Sequence, residues 1–237
     1  MKLIKVKNYE ELSKSVCDIL VKDISKKPNL VLGFATGETP LGFYKELVSA
    51  YKKKKADFSK ITSFNLDEYY PIKKKDQNSY HDYMMKHLFS KVNISKDKIN
   101  FLDGDTKNPE KECLEYEIKI AKCPVDVQIL GVGVNGHVGF DEPGSSINSR
   151  TRLINLTSST IKVNSKHFKN HKMPNQALTM GIDTILRSKK IILMASGNAK
   201  REAIRHLIDG KISSKWPVSF LKKHRNLILV VDEKALG

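Results

Sequence analysis

Short apolar runs alternate along this chain with stretches in which apolar residues recur every three or four positions. The runs "NLVLGFA" (29–35), "ITSFNL" (61–66), "INFLD" (99–103), "VDVQILGVG" (125–133), "KIILMAS" (190–196) and "NLILVVD" (226–232) predict buried strands. Between them, "PLGFYKELVSAYKK" (40–53) puts Leu41, Tyr44, Leu47, Val48 and Tyr51 on one helical face. "SYHDYMMKHLF" (79–89), "PEKECLEYEIKIAK" (109–122) and "NAKREAIRHLIDG" (198–210) read as further helices. Strand and helix in alternation predict an α/β fold, a mostly parallel sheet with helices on both faces. There is no internal repeat, low-complexity tract or linker, so a single domain over 1–237 is expected. The weakest periodicity lies in 142–176, which is rich in Ser, Thr, Asn and basic residues. A mobile lid, centred on 157–176, and a plain surface excursion both fit that stretch.

In open parallel sheets, ligands bind beyond the carboxyl ends of the strands. Four polar clusters fall at such ends: "TGETP" (36–40), "DEYY" (67–70), "GVGVNGHVGFDEPG" (131–144) and "SGNAK" (196–200). In the first, Gly37 permits a tight turn, Thr39 reads as a helix N-cap and Pro40 as the first helical residue. The free N–H groups of such a start attract an anion, although the carboxylate of Glu38 would repel one. In the last, Lys200 stands in a first helical turn, where a cation is comfortable only beside an anion. Asp67 and Glu68 are adjacent carboxylates against apolar neighbours, a setting that raises pKa values and suits a general base.

Gly131, Gly133 and Gly136 fit the G-x-G-x-x-G spacing of dinucleotide sites. The context fails: Gly139 and Pro143 forbid the helix that should follow, and no acidic residue stands about 20 positions on. His137, Asp141 and Glu142 lack further ligands at metal-site spacing, with His81, His87, His167 and His171 forming no pattern, so no metal is expected. An acid–base loop remains. His137 can give and take a proton, Glu142 can orient its ring, and Asn135 can bond hydroxyls.

Composition narrows the partners. Net charge is +16, which favours acidic partners, from nucleic acid to phosphorylated metabolites. The excess is lysine, in runs such as 52–55 and 73–75 that read as solvated surface. A nucleic-acid site leans on arginine forks and interleaved aromatics, so nucleic acid is not the expected partner. No stretch is apolar enough for a membrane helix or a secretion signal, and Cys17, Cys113 and Cys123 read as reduced thiols, so a cytoplasmic protein is expected.

Together, "LGFATGETPLGFYKEL", "SFNLDEYYPI", "LGVGVNGHVGFDEPGSS", "SRTRLINLT", "QALTMGIDTIL" and "ASGNAKREAI" resemble the glucosamine-6-phosphate deaminase (isomerase) family, in order and spacing, over nearly the whole chain. The block "NGHVGFDEPG" separates it from the related 6-phosphogluconolactonases. The resemblance implies a three-layer, Rossmann-like fold and a deamination of glucosamine 6-phosphate to fructose 6-phosphate and ammonia, without cofactor. It implies Asp67 as the proton-transfer base, and His137 with Glu142 and Asn135 for ring opening. It implies a phosphate site on Thr36, Gly37, Glu38 and Thr39 with Lys200 and Lys166. Galactosamine 6-phosphate, or a lactone hydrolysed by a sister activity, stay open as alternatives, as does, more remotely, a non-enzymatic polyanion binder. Three positions depart from the family's usual pattern: Glu38 where a small residue is common, Lys166 where arginine is common, and Asp183 where glycine is common. The chain also matches the short members, without the C-terminal extension tied to hexamers and allosteric activation; either a monomer or a homo-oligomer is compatible with it.

Overall fold

The structure is a computed structural model and describes residues 1–168 and 172–237. Seven parallel strands form the central sheet, in the order β1 (Lys2–Val6), β10 (Leu227–Asp232), β9 (Lys190–Ala195), β6 (Val127–Leu130), β2 (Val31–Phe34), β3 (Thr62–Asn65) and β5 (Ile99–Asn100). Every residue of β2, β6 and β10 is buried, which is why these strands read as unbroken apolar runs rather than alternating ones. One sheet face carries Phe64, Leu130, Leu193 and Leu229, covered by α4 (Pro109–Lys122) and α7 (Arg201–Ile208). The other carries Leu32, Phe34, Ile129, Ile192 and Val230, covered by α1 (Tyr9–Lys26), α2 (Leu41–Lys52) and α3 (Tyr80–His87). The three-layer α/β arrangement agrees with the expectation.

The chain winds outward in both directions from the β2–β6 pair, so the strand order reverses there. A crevice opens at the carboxyl ends of strands at such a reversal. The loops that leave β2 and β6 are 36–39 and 131–144, two of the four polar clusters.

A second, smaller sheet was not legible in the apolar pattern. It is antiparallel, with β8 (Gln176–Thr179) between β4 (Asp67–Tyr70) and β7 (Arg152–Asn155). Only Leu66 separates β3 from β4, and its backbone is shared between the sheets. Its N–H bonds Phe34 O at 3.0 Å and its carbonyl accepts Met180 N–H at 2.8 Å. The small sheet therefore hangs from the large one beside the crevice. Part of the weakly periodic stretch 142–176 thus belongs to this sheet, as β7. The same stretch holds α5 (Ser158–Asn164) and a 3-10 turn, Ser165–His167. Residues 169–171 of the expected lid, His171 among them, lie outside the described residues.

The expected N-cap of α2 needs correcting. Pro40, not Thr39, precedes the helix, and no side chain of its own segment caps it. Tyr9 of α1 does that work instead: its hydroxyl accepts Gly42 N–H at 2.7 Å and sits 3.0 Å from the Thr39 carbonyl. A partner 30 residues away in sequence displaced the local one. The lysines at 52–55 and 73–75 are all exposed, and Cys17, Cys113 and Cys123 are free thiols.

Candidate active site

A cleft of about 1120 Å³ occupies the crevice. Thr36, Gly37, Glu38, Thr39, Asp67, Asn135, His137, Lys166 and Lys200 all line it, although they span 165 positions of sequence. Glu142 stands behind His137. Among the described residues, no group of three or more His, Cys, Asp or Glu side chains is gathered as a metal site would need.

Asp67 opens β4, and strand alternation parts it from Glu68. Asp67 borders the cleft, whereas Glu68 turns to the start of α3, accepting Tyr80 N–H at 2.8 Å and His81 N–H at 2.9 Å. Burial pushes the Glu68 carboxyl up to about 7 against those donors. Its place is that of a helix anchor. Asp67 is only 6% exposed and its Oδ1 makes no hydrogen bond. Burial, then the neighbouring carboxylates Glu68 and Asp141, push its carboxyl well above the usual range. Asp141 is itself buried, paired with Arg152 at 2.8 Å, and burial lifts it to about 6 despite that partner.

Within 131–144, Gly133 makes room for the histidine. Gly133 N–H bonds His137 O at 2.9 Å, and a Cβ on Gly133 would fall 2.3 Å from the imidazole. At Gly139, φ is +59°, a conformation that favours glycine, and a Cβ there would stand 3.6 Å from Asp67 Oδ2. At that position the histidine loop passes beside Asp67. Asn135 closes the loop: its Oδ1 accepts His137 N–H at 3.2 Å and its Nδ2 donates to Glu142 Oε2 at 2.8 Å. His137 Nδ1 lies 3.4 Å from the same Oε2, a contact too loose to count as a hydrogen bond. Burial pushes the Glu142 carboxyl up, but His137, Thr160 and Asn135 outweigh it and hold it down to about 2.

At the other end, Gly37 takes φ of +98° and its carbonyl accepts the Tyr83 hydroxyl at 2.6 Å, which fixes the 36–39 turn. Lys200 lies in a 3-10 turn, Asn198–Lys200, that leads into α7. Burial lowers its pKa, with Glu38 opposing. The turn is tied from behind by buried Asp232, which accepts the Ser196 hydroxyl at 2.5 Å and Gly197 N–H at 3.1 Å. Lys166 reaches across from the far rim to Glu38, Nζ to Oε1 2.8 Å. Asp183, the third departure, pairs with Arg150 at 3.1 Å and Arg187 at 2.9 Å, outside the cleft.

Reasoning from sequence missed three contributors. Thr157 and Thr160 of α5 both donate to Glu142 Oε1, the former at 3.1 Å. The signal was there in "LTSST", an N-cap pattern opening a helix, but nothing local pointed it at residue 142. Asp232 closes the last apolar strand and was read only as its end.

Comparison with known proteins identifies the family. Residues 6–230 match the family described as glucosamine-6-phosphate isomerases/6-phosphogluconolactonase. A glucosamine-6-phosphate deaminase of Clostridium botulinum (strain Langeland / NCTC 10281 / Type F) is 48% identical over 237 residues, 99% of this chain and 97% of that one. One of Thermoanaerobacter sp. (strain X514) is 44% identical, over 99% and 94%. Among solved structures, a monomeric glucosamine-6-phosphate deaminase superposes with a TM-score of 0.97 at 40% identity, covering 99% of this chain and 98% of that one. A 6-phosphogluconolactonase of Leishmania guyanensis shares the fold, at a TM-score of 0.77 and 19% identity over 99% and 97%. The cleft, its loops and these relatives together make the chain a member of the glucosamine-6-phosphate isomerase/6-phosphogluconolactonase family.

Proposed function

We propose that the protein converts D-glucosamine 6-phosphate and water to D-fructose 6-phosphate and ammonia. One observation carries the reading: Asp67 and the His137–Asn135–Glu142 group face a single cleft whose far end holds the 36–39 turn and Lys200. The deaminase names of relatives at 44 to 48% identity support it.

The sugar's phosphate lies on the 36–39 turn, with Lys200 and Lys166 as its cations. This remote anchor supplies binding energy for orienting the reacting carbons. His137 moves the proton between O1 and O5, which opens the ring. Glu142, held as an anion, stabilises the imidazolium that forms and Asn135 keeps the two aligned. Asp67 then takes the C2 proton. Burial among carboxylates makes it a strong base for its type, and the substrate's own C2 ammonium favours the ionised form on arrival. The enolamine is reprotonated at C1 to a ketimine, water adds to C2, and ammonia leaves. Atoms balance with no redox change, because the C2 nitrogen provides the electron path.

The described part of the segment 157–176 acts as a lid: Ser159, Thr160, Val163, Asn164, Lys166 and Phe168 form one wall of the cleft. The reading is of one domain acting in the cytoplasm, which a phosphorylated substrate supports; among the described residues no helix is long and apolar enough to cross a membrane. The test is ammonia release from glucosamine 6-phosphate and galactosamine 6-phosphate, beside hydrolysis of 6-phosphogluconolactone. Ammonia and fructose 6-phosphate from the first are expected. Lactone hydrolysis with no ammonia from either amino sugar would overturn the reading.

A further inference from the structure

The two oxygens of Glu142 serve different elements. Oε2 takes the Asn135 amide at 2.8 Å and faces His137 Nδ1 at 3.4 Å, both from the loop after β6. Oε1 takes the hydroxyls of Thr157 and Thr160, both from the root of α5. Thr157 is also the N-cap of α5, its hydroxyl oxygen accepting Thr160 N–H at 3.3 Å. Thr160 is 4% exposed, so its hydroxyl has no water to turn to and is committed to Glu142. The other charged group nearby, Asp141, is occupied by Arg152 of β7. A carboxylate fixed at both oxygens cannot rotate. The single hydroxyl proton of Thr157 is shared among Glu142, Ser159 and Thr160, so Oε1 depends on Thr160; without it the carboxylate turns about its last bond, and the contact with His137 is the first to change.

We propose that Thr160 is a positioning residue: it fixes the plane of the Glu142 carboxylate, and through it the imidazole of His137, so that the lid helix and the ring-opening pair move as one unit. This rests on the function proposed above for His137, but the placement itself is a property of the free protein. Lys166, in the 3-10 turn that continues α5, and Phe168 just after it follow directly on the helix, so a displacement of the wall they form pulls on Oε1. Closing of the wall and alignment of the acid–base pair are then one event.

Thr160→Val removes the Thr160 donor at nearly constant volume and leaves Oε1 only the shared Thr157 hydroxyl, and Thr160→Ser keeps both. With glucosamine 6-phosphate, Thr160→Val lowers kcat about tenfold, the usual scale for a hydrogen bond to a charged group. KM moves little, because the phosphate end is untouched, and Thr160→Ser restores kcat. The second arm needs no substrate. Ring 15N shifts of His137 at neutral pH report which nitrogen carries the proton. Wild type and Thr160→Ser hold it on Nδ1, facing Glu142, and Thr160→Val gives a mixture of tautomers. Should Thr160→Val not fold, Thr160→Ala reads the same signals. Unchanged tautomers together with unchanged kcat in the folded variant overturn the proposal. A wild-type protein that releases no ammonia sinks the functional reading instead, and leaves the tautomer experiment standing.

Discussion

Asp67, beside the histidine loop, and Glu142, within it, are the same kind of group at nearly the same depth, 6% and 7% exposed. They behave in opposite ways: the Asp67 carboxyl is pushed well above the usual range and the Glu142 carboxyl is held at about 2. Burial acts upward on both. What separates them is the company. Around Asp67 stand two more carboxyls, Glu68 and Asp141, and its Oδ1 accepts nothing. Around Glu142 stand an amide, two hydroxyls and an imidazole. Depth alone therefore says little about a buried acid; the donors decide whether it is a proton acceptor in waiting or a permanent anion.

The hardest test of that division removes each group's chemistry in turn. Asp67→Asn is expected to lower turnover by at least about 10³-fold while sugar-phosphate binding, measured by calorimetry, persists. His137→Gln is expected to cost about 10²-fold in kcat on the ring-closed sugar, read by the same ammonia assay. Near wild-type rates in Asp67→Asn would leave its unusual environment without a catalytic purpose.

Stability against pH separates the two sites without any substrate. The folded-state pKa of Glu142 is depressed, so its contribution is present above its unfolded pKa of about 4.3 and is lost as pH falls toward 2. Glu142→Gln should therefore lower Tm by several degrees at pH 7, with the deficit shrinking below about pH 4. The folded-state pKa of Asp67 is raised, so keeping it neutral stabilises the fold at low pH and that benefit is lost as pH rises. Asp67→Asn should raise Tm at pH 8 and be neutral below about pH 4, where the aspartate is protonated in both states. Thermal melts of both variants between pH 4 and 8 give two curves of opposite sign. Two curves of the same sign would mean that burial, not partners, dominates at both sites.

The contrast was half legible in the chain itself. Asp67 after an apolar strand, and His137 among glycines with Glu142 five residues on, could be picked out because the chemistry is local. So could the strands of the central sheet, whose burial on both faces leaves continuous apolar runs such as "IILMA". The small sheet was not legible. β7 has no fully buried residue and β4 is the four residues "DEYY", so neither carries a period to read. Thr157 and Thr160 reach Glu142 across 15 and 18 residues, and Tyr9 caps α2 across about 30. Contacts of that kind depend on how elements pack, which a single chain's spacing does not encode.

The smallest expected effect concerns Glu38, the carboxylate on the 36–39 turn. Glu38 pairs with Lys166 at 2.8 Å, but their side chains are 71% and 56% exposed. Such a pair contributes about 0–1 kcal/mol, so Glu38→Ser should leave Tm essentially unchanged. Its effect on the substrate is another matter, because a carboxylate on the 36–39 turn opposes the incoming phosphate and engages Lys166, a cation proposed to receive it. Removing the carboxylate should lower KM about two- to fivefold, an effect of the size that exposed charges allow. The gain should fade as salt is raised, since charges this exposed are screened over about 8–10 Å at physiological ionic strength. A KM that rises instead would reverse the assignment. Glu38 would then serve to hold Lys166 over the cleft, and the acid at this end, like Glu142 at the other, would act by steadying a basic partner.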